Sequence, residues 1–302
     1  MERQPGVEVT VVISTLDRPR QLTRCLDALL TATTLPTAVV VVNQGDPDVT
    51  GAVVADARDQ GLPVTQVVQP RWGLSASQNT GVRTAGTDVV AIVDDDCVPD
   101  RRWVEVVQHV FSAAEGPLLL TGRVLPLPVD GDRVVPLSVR DRPTPQVWKR
   151  APMPWHIGTG GNFAVTRASF LAVGGNDERL GTGSPGRGGN DLDLFHRLVD
   201  HGVTARYEPE LLVCHERATV AEHLSRRSSY GHGVGAMLGI WLRARDPRAV
   251  LVLLAWLRLR ARVGYSRRSN GGFGHEVRIL GGTLAGLVHG LRCRPGERAV
   301  HG

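Results

Sequence analysis

A chain of 302 residues, 42% hydrophobic and 22% charged, has the balance of a soluble globular protein and the length to bury a large core. Its net charge of +5 is carried almost wholly by arginine, Lys149 being the only lysine, and is too modest and too poor in interleaved aromatics for a nucleic-acid-binding surface. Four cysteines form no CxxC pair, which argues for free thiols over disulfides or a zinc knuckle, and Met1-Glu-Arg-Gln-Pro5 lacks the apolar stretch of a secretory leader, so a cytoplasmic protein is expected.

The first hundred residues alternate strand and helix. Val7 to Ser14 reads as a strand, and Leu22, Leu26, Leu29 and Leu30 recur at helical spacing after the turn Asp17-Arg-Pro19. Val39 to Val42 is a second strand ending at Asn43-Gln-Gly-Asp46, with a helix expected from about Val49 to Gln60. Val64 to Val68 is a third strand, and Trp72-Gly-Leu-Ser-Ala-Ser-Gln-Asn-Thr-Gly81 opens a helix leading to a fourth, Val89 to Val93. Such alternation predicts a parallel sheet of Rossmann type with flanking helices.

The fourth strand runs straight into Asp94-Asp95-Asp96. Ligands of open α/β sheets collect beyond the carboxyl ends of strands, and adjacent carboxylates there are tolerable around a divalent cation, Mg²⁺ or Mn²⁺ by the hardness of the oxygens. A solvated acidic turn capping the next helix is the plainer alternative. A helix is expected from about Arg101 to Ala114, a strand near Leu118 to Val124, then a proline-rich excursion from Pro126 to Pro154. Gly158-Thr-Gly-Gly-Asn-Phe-Ala-Val165 reads as a loop entering a strand, with Gly160, Gly161 and Asn162 toward the acceptor side, and Thr166 to Val173 as a short helix. Trp155 and its neighbour His156 are candidates to line an acceptor pocket, though core packing is the ordinary fate of tryptophan. Gly181 to Gly189 suits a mobile loop. It leads to Asn190-Asp-Leu-Asp193 at a helix start, where Asn190 or Asp191 serves at the least as a cap. His215 ends a short apolar strand, Leu211 to Cys214.

The order of these pieces over about residues 7 to 217 resembles the GT-A glycosyltransferases of family 2, which use nucleotide-activated sugars. Val11-Val-Ile-Ser-Thr-Leu-Asp-Arg-Pro19 is similar to the opening strand that meets the nucleotide, which places Thr15, Asp17 and Arg18 at the donor. Gly73-Leu-Ser-Ala-Ser-Gln-Asn-Thr-Gly81 is similar to the segment beneath the donor, usually Gly-x-Ser-x-Ala-Arg-Asn-x-Gly, and implicates Gly73, Ser75 and Asn79. Asn43 stands where many relatives carry an Asp reaching the base or ribose, with Gly45 and Asp46 in a variant turn. Asp94-Asp-Asp96 takes the place of the DxD motif: the resemblance implies Asp94 and Asp95 at the donor, and Asp94, Asp96 and His215 as metal ligands. Gly189-Asn-Asp191 falls where the family has a Glu-Asp pair, implying Asp191 as catalytic base, with Asn190 in place of the usual acid.

The chemistry agrees. A cation at the carboxylates would stabilise a departing diphosphate, and a carboxylate on the opposite side would take the acceptor proton in a single inverting displacement. The expected architecture is α/β of GT-A type, a mostly parallel Rossmann-like sheet, with residues 1–217 as catalytic domain, 1–100 binding the nucleotide sugar and 101–217 the acceptor. Residues 218–302 form a helical extension. Its apolar segment Ala249 to Leu259 is too short to span a bilayer. With Arg258, Arg260, Arg262, Arg267 and Arg268 after it, and the glycine-spaced Ile279 to Leu291 before Arg292 and Arg294, the extension reads either as a packed bundle or as a surface for an anionic membrane. The function expected is metal-dependent transfer of a sugar to a glycan, lipid-linked or natural-product acceptor. A metal-dependent hydrolase or a non-catalytic nucleotide-sugar-binding module are the alternatives, and the oligomeric state is not legible.

Overall fold

The computed structural model describes residues 6–128, 134–135, 138–266 and 273–293, so Arg267, Arg268 and Arg294 lie outside the described residues. The first hundred residues form β1 (Val9–Thr15), α1 (Pro19–Leu30), β2 (Ala38–Asn43), α2 (Pro47–Asp59), β3 (Val64–Val68), α3 (Leu74–Thr84) and β4 (Val89–Asp94). These four strands run parallel in the order β3-β2-β1-β4. The second half adds β5 (Cys97–Pro99), α4 (Trp103–Ser112), β6 (Leu118–Pro126), β7 (Val134–Val135), β8 (Gln146–Trp148), β9 (Asn162–Thr166), α5 (Arg167–Ala172), α6 (Asn190–Asp200), β10 (Thr204–His215) and β11 (Ala218–Thr219). Strand β9 enters antiparallel between β4 and β6, β10 lies parallel to β6, and β5 and β8 pair antiparallel with β10. The longer ladders are parallel.

Apolar residues on alternate positions of one strand face opposite sides of a sheet, so a run apolar at every position is covered twice. In β1, Val9, Val11 and Ile13 join Leu22, Leu26 and Leu29 of α1 in one core, while Val12 joins Phe163, Phe195 and Leu198 in the other. Helix α2 begins two residues before the expected Val49, because Asp46 caps it by accepting from the backbone N–H of Asp48 and Val49 and Pro47 occupies the first turn. The expected strand at Leu211 to Cys214 is the end of a twelve-residue strand interrupted by a register shift between Glu208 and Leu212. Its polar, irregular middle hides it from a periodicity reading.

After Thr219 the chain becomes helical: α7 (Val220–Arg243), α8 (Arg248–Ser266) and α9 (Phe273–Arg292). Helix α7 opens with a capping box of Thr219 and Glu222. It packs on α9 backbone to backbone; a Cβ on Gly235 would lie 2.0 Å from the Thr283 carbonyl oxygen, and one on Gly286 would lie 2.0 Å from that of His232. Among the described residues no helix is long and apolar enough to cross a membrane.

Candidate active site

The site lies where β1 and β4 end side by side, Ser14 paired with Asp94. Asp95 turns back toward β1, accepting from Thr15 Oγ1 at 2.8 Å and Arg18 Nη1 at 3.2 Å, and Asp96 accepts from the same guanidinium at 3.2 Å. One arginine thus serves two carboxylates. Burial works against the Arg18 charge, but Asp95 and Asp96 outweigh it and hold the group above its ordinary value. Burial raises Asp95 despite Arg18, and it pushes Asp94 up to about 7, with Asp96 adding repulsion and His215 opposing it. This cluster carries more negative charge than the protein neutralises.

His215 arrives from the end of β10, its Nε2 3.4 Å from Asp96 Oδ1. Its Nδ1 lies 2.6 Å from the Glu216 carbonyl oxygen. A carbonyl only accepts, so Nδ1 donates to it, and this contact turns Nε2 toward the Asp96 carboxylate, an orientation that suits a shared cation. Ligand atoms of Asp96, Cys97 and His215 all lie within 4.8 Å of one another. Burial and the neighbouring carboxylates drive the Cys97 thiol well above its ordinary value, leaving it protonated at neutral pH. The donor set of carboxylates and imidazole fits a divalent cation of the Mg²⁺ or Mn²⁺ kind.

Gly160 and Gly161 join this cluster to the start of α6. The Gly160 N–H donates to Asp191 Oδ2 at 2.9 Å, and a Cβ on Gly161 would lie 2.4 Å from Asp94 Oδ2. One residue therefore holds the Asp191 carboxylate and the next makes room for Asp94. Burial raises Asp191 above its ordinary value, opposed by N–H donation from Leu192 and Gly160. Asn190, buried beside it, packs under Gly181.

Other residues expected at the donor or acceptor make contacts within the protein frame. Asn43 is fully buried and folds its amide over its own turn, accepting from the Gly45 N–H at 2.8 Å and donating to the Asp46 carbonyl at 3.0 Å. The neighbouring Gln44 accepts from the N–H of Trp72 and Gly73 at 2.7 and 2.9 Å, fastening the second motif to this turn. Ser75 donates to the Leu180 carbonyl at 2.6 Å, while Asn79 clamps Asn176 and Glu178. Asn162, expected near the acceptor, is instead fully buried: it accepts from Trp103 Nε1 and donates to the carbonyls of Arg123 and Leu211, filling the break in the β6–β10 ladder. Asp17 sits at positive φ, accepts from the Asp46 N–H and pairs with exposed Arg71. Trp155 leans on Trp256 of α8, ring centroids 5.7 Å apart.

The segment from Gly181 to Gly189, expected to be mobile, is folded on itself. Ser184 donates to the carbonyls of Gly181 and Arg179, the Gly186 N–H returns to Arg179, and a Cβ on Gly189, at φ 78°, would lie 2.7 Å from the Gly233 carbonyl oxygen of α7. Glycine here permits backbone-to-backbone contact rather than free motion. Sequence reasoning missed two neighbours of Asp191. Arg140, from the proline-rich excursion, donates to the Trp155 and Gly158 carbonyls at 3.0 and 3.5 Å and bears electrostatically on Asp191. Tyr230 of α7 keeps 44% exposure, and burial with the charge of Asp191 pushes its hydroxyl up to about 12. No local pattern marks either residue.

Residues 10–172 match the sequence profile of Glycosyl transferase family 2. The chain belongs to this family. Among curated relatives of this family 2 chain, the pre-mycofactocin glycosyltransferase of Mycobacterium tuberculosis is 31% identical over 232 residues, 73% of this chain and 46% of the relative. The family 2 chain thus spans about half the length of that relative. Glycosyltransferase AglE of Haloferax volcanii is 24% identical over 96% of this chain and 94% of its own length. Among solved structures, the mannosyltransferase PcManGT of Pyrobaculum calidifontis in complex with GDP-Man and Mn²⁺ superposes with a TM-score of 0.61 at 16% identity, covering 95% of this chain and 88% of that one. S. aureus TarS in complex with UDP-GlcNAc gives 0.63 at 14% identity, covering 93% and 82%. At such identities the structural likeness establishes the GT-A fold.

Proposed function

We propose that this chain is a metal-dependent inverting glycosyltransferase acting in the cytoplasm, moving a sugar from a nucleotide donor to a hydroxyl of a glycan, lipid-linked or natural-product acceptor. The observation that carries this reading is the pairing across Gly160 and Gly161: a cluster of three adjacent carboxylates on one side and a single half-buried carboxylate, Asp191, on the other. Asp94, Asp96 and His215 would hold Mg²⁺ or Mn²⁺, which when bound stabilises the leaving diphosphate as a Lewis acid. Thr15 and Arg18 fix Asp95, and Arg18 supplies positive charge at the donor side. Asp191 takes the acceptor proton; its raised proton affinity makes it a better base than an ordinary aspartate, and the Gly160 N–H keeps its carboxylate aimed. The neighbours crystallised with GDP-Man, UDP-GlcNAc and Mn²⁺ support a nucleotide-sugar donor and a metal. Residues 1–217 form the catalytic domain in this reading, and 218–302 a helical extension that backs the site through Tyr230 and Gly233.

Asp191→Asn tests it. The variant keeps its size and loses the base, so transfer should fall by roughly 10²–10⁴, while donor affinity measured by titration calorimetry stays within about twofold. Near-normal transfer by the folded variant would remove Asp191 as base.

A further inference from the structure

We infer that the outer face of α8 and α9 docks in the plane of an anionic lipid bilayer. Nine of the eighteen exposed large apolar side chains among the described residues stand on these two helices. Leu251, Leu254 and Leu257 of α8 are 62%, 46% and 42% exposed, and Leu284, Val288 and Leu291 of α9 are 65%, 40% and 42% exposed. A helix solvated on its outer face normally carries polar residues there. Here the inner faces are already spent, Val252 and Trp256 of α8 and Ile279 of α9 being buried in the core they share with α7, so the outer leucines stand outside that core among the described residues.

Charge selects the occupant. Helix α8 contains no carboxylate, and the single one on α9, Glu276, is 3% exposed and paired inward with Arg260 at 3.4 Å. Among the described residues of the two helices, exposed Arg258, Arg262, Arg278 and Arg292 therefore accompany the apolar side chains with no exposed acid. A second copy of the chain would set arginine against arginine across a two-fold axis, whereas anionic headgroups meet both the charge and the apolar stripe. With no described helix able to span, the two would lie along the surface. Helix α9 packs backbone to backbone on α7, and α7 in turn touches the loop before Asp191. The inference holds whatever the transferred sugar.

The test is co-sedimentation of the full chain with phosphatidylcholine vesicles, with and without phosphatidylglycerol. Binding should require the anionic lipid, weaken as salt rises, and fall by about fivefold for each of Arg258→Ala and Arg262→Ala. The double variant Leu254→Glu, Leu284→Glu, altered only at exposed positions, should lose vesicle binding while its donor titration is unchanged, which separates failure of this inference from failure of the transferase reading. No sedimentation of the full chain at low salt, or equal binding by the double variant, overturns the proposal. So does a dimer by light scattering that the double variant abolishes, since the face would then join two copies.

Discussion

The segments Gly73 to Gly81 and Asp94 to Asp96 both lie beyond the carboxyl ends of parallel strands, and both carry polar residues of the kind that bind nucleotide sugars, but the structure uses them in opposite ways. In the first, Ser75 and Asn79 are buried and fully engaged with the backbone of residues 176–180, so the polarity holds two distant stretches of chain together. In the second, three carboxylates share one arginine and one histidine, and two of them have raised pKa values. Completed hydrogen bonding marks framework; unbalanced buried charge marks the place where a ligand finishes the structure.

The largest effect that separates the two belongs to Asp96→Ala, which should cut kcat/KM by ~10³ and abolish Mn²⁺-dependent donor binding. Unchanged calorimetric affinity with and without Mn²⁺ would erase the contrast. Asn79→Ala should instead cost about 1–3 kcal/mol of stability, the penalty for stranding its buried partners. The urea midpoint reads that loss, and Mn²⁺ affinity should stay where it was. A pH profile sharpens the charged side further. Asp191 must be ionised to act, and burial raises its pKa above the ordinary 3.8, so kcat/KM is full above the raised value and declines as pH falls through it. The acid limb should lie above that of an exposed aspartate; a limb at or below pH 4 would contradict the raised pKa. The smallest effect is Asp46→Ala, a lost helix cap worth about 1 kcal/mol by thermal melt, with donor KM within twofold. A tenfold rise in KM would move Asp46 from the frame to the donor.

Much of this was legible in the chain. The alternation from Val9 to Asp94 set the parallel half of the sheet, and the acidic triplet at a strand end marked the site, because both are local patterns. The motif positions of Asn43 and Asn162 point to ligand contacts, since an asparagine there looks alike in sequence whether its amide meets a substrate or a carbonyl. Their partners separate the cases, and those of Asn162 lie 39 to 59 residues away in sequence. The loop before Asp191 was read as mobile for its glycines, whereas Gly188 and Gly189 are small so that Gly233 can touch them.

Sequence by itself determined the element types, the carboxylates at the end of β4, the acid at the start of α6 and the arginine-rich, apolar character of the last helices. Spacing along the chain suffices for these, since helix and strand periods are properties of a few consecutive residues. Tertiary structure alone decided that Arg18 divides itself between Asp95 and Asp96, that Gly160 aims Asp191, that Arg140 and Tyr230 bear on Asp191, and which faces of α8 and α9 are left exposed. Each of these depends on which surfaces meet when the layers pack, and no spacing in the sequence records that choice.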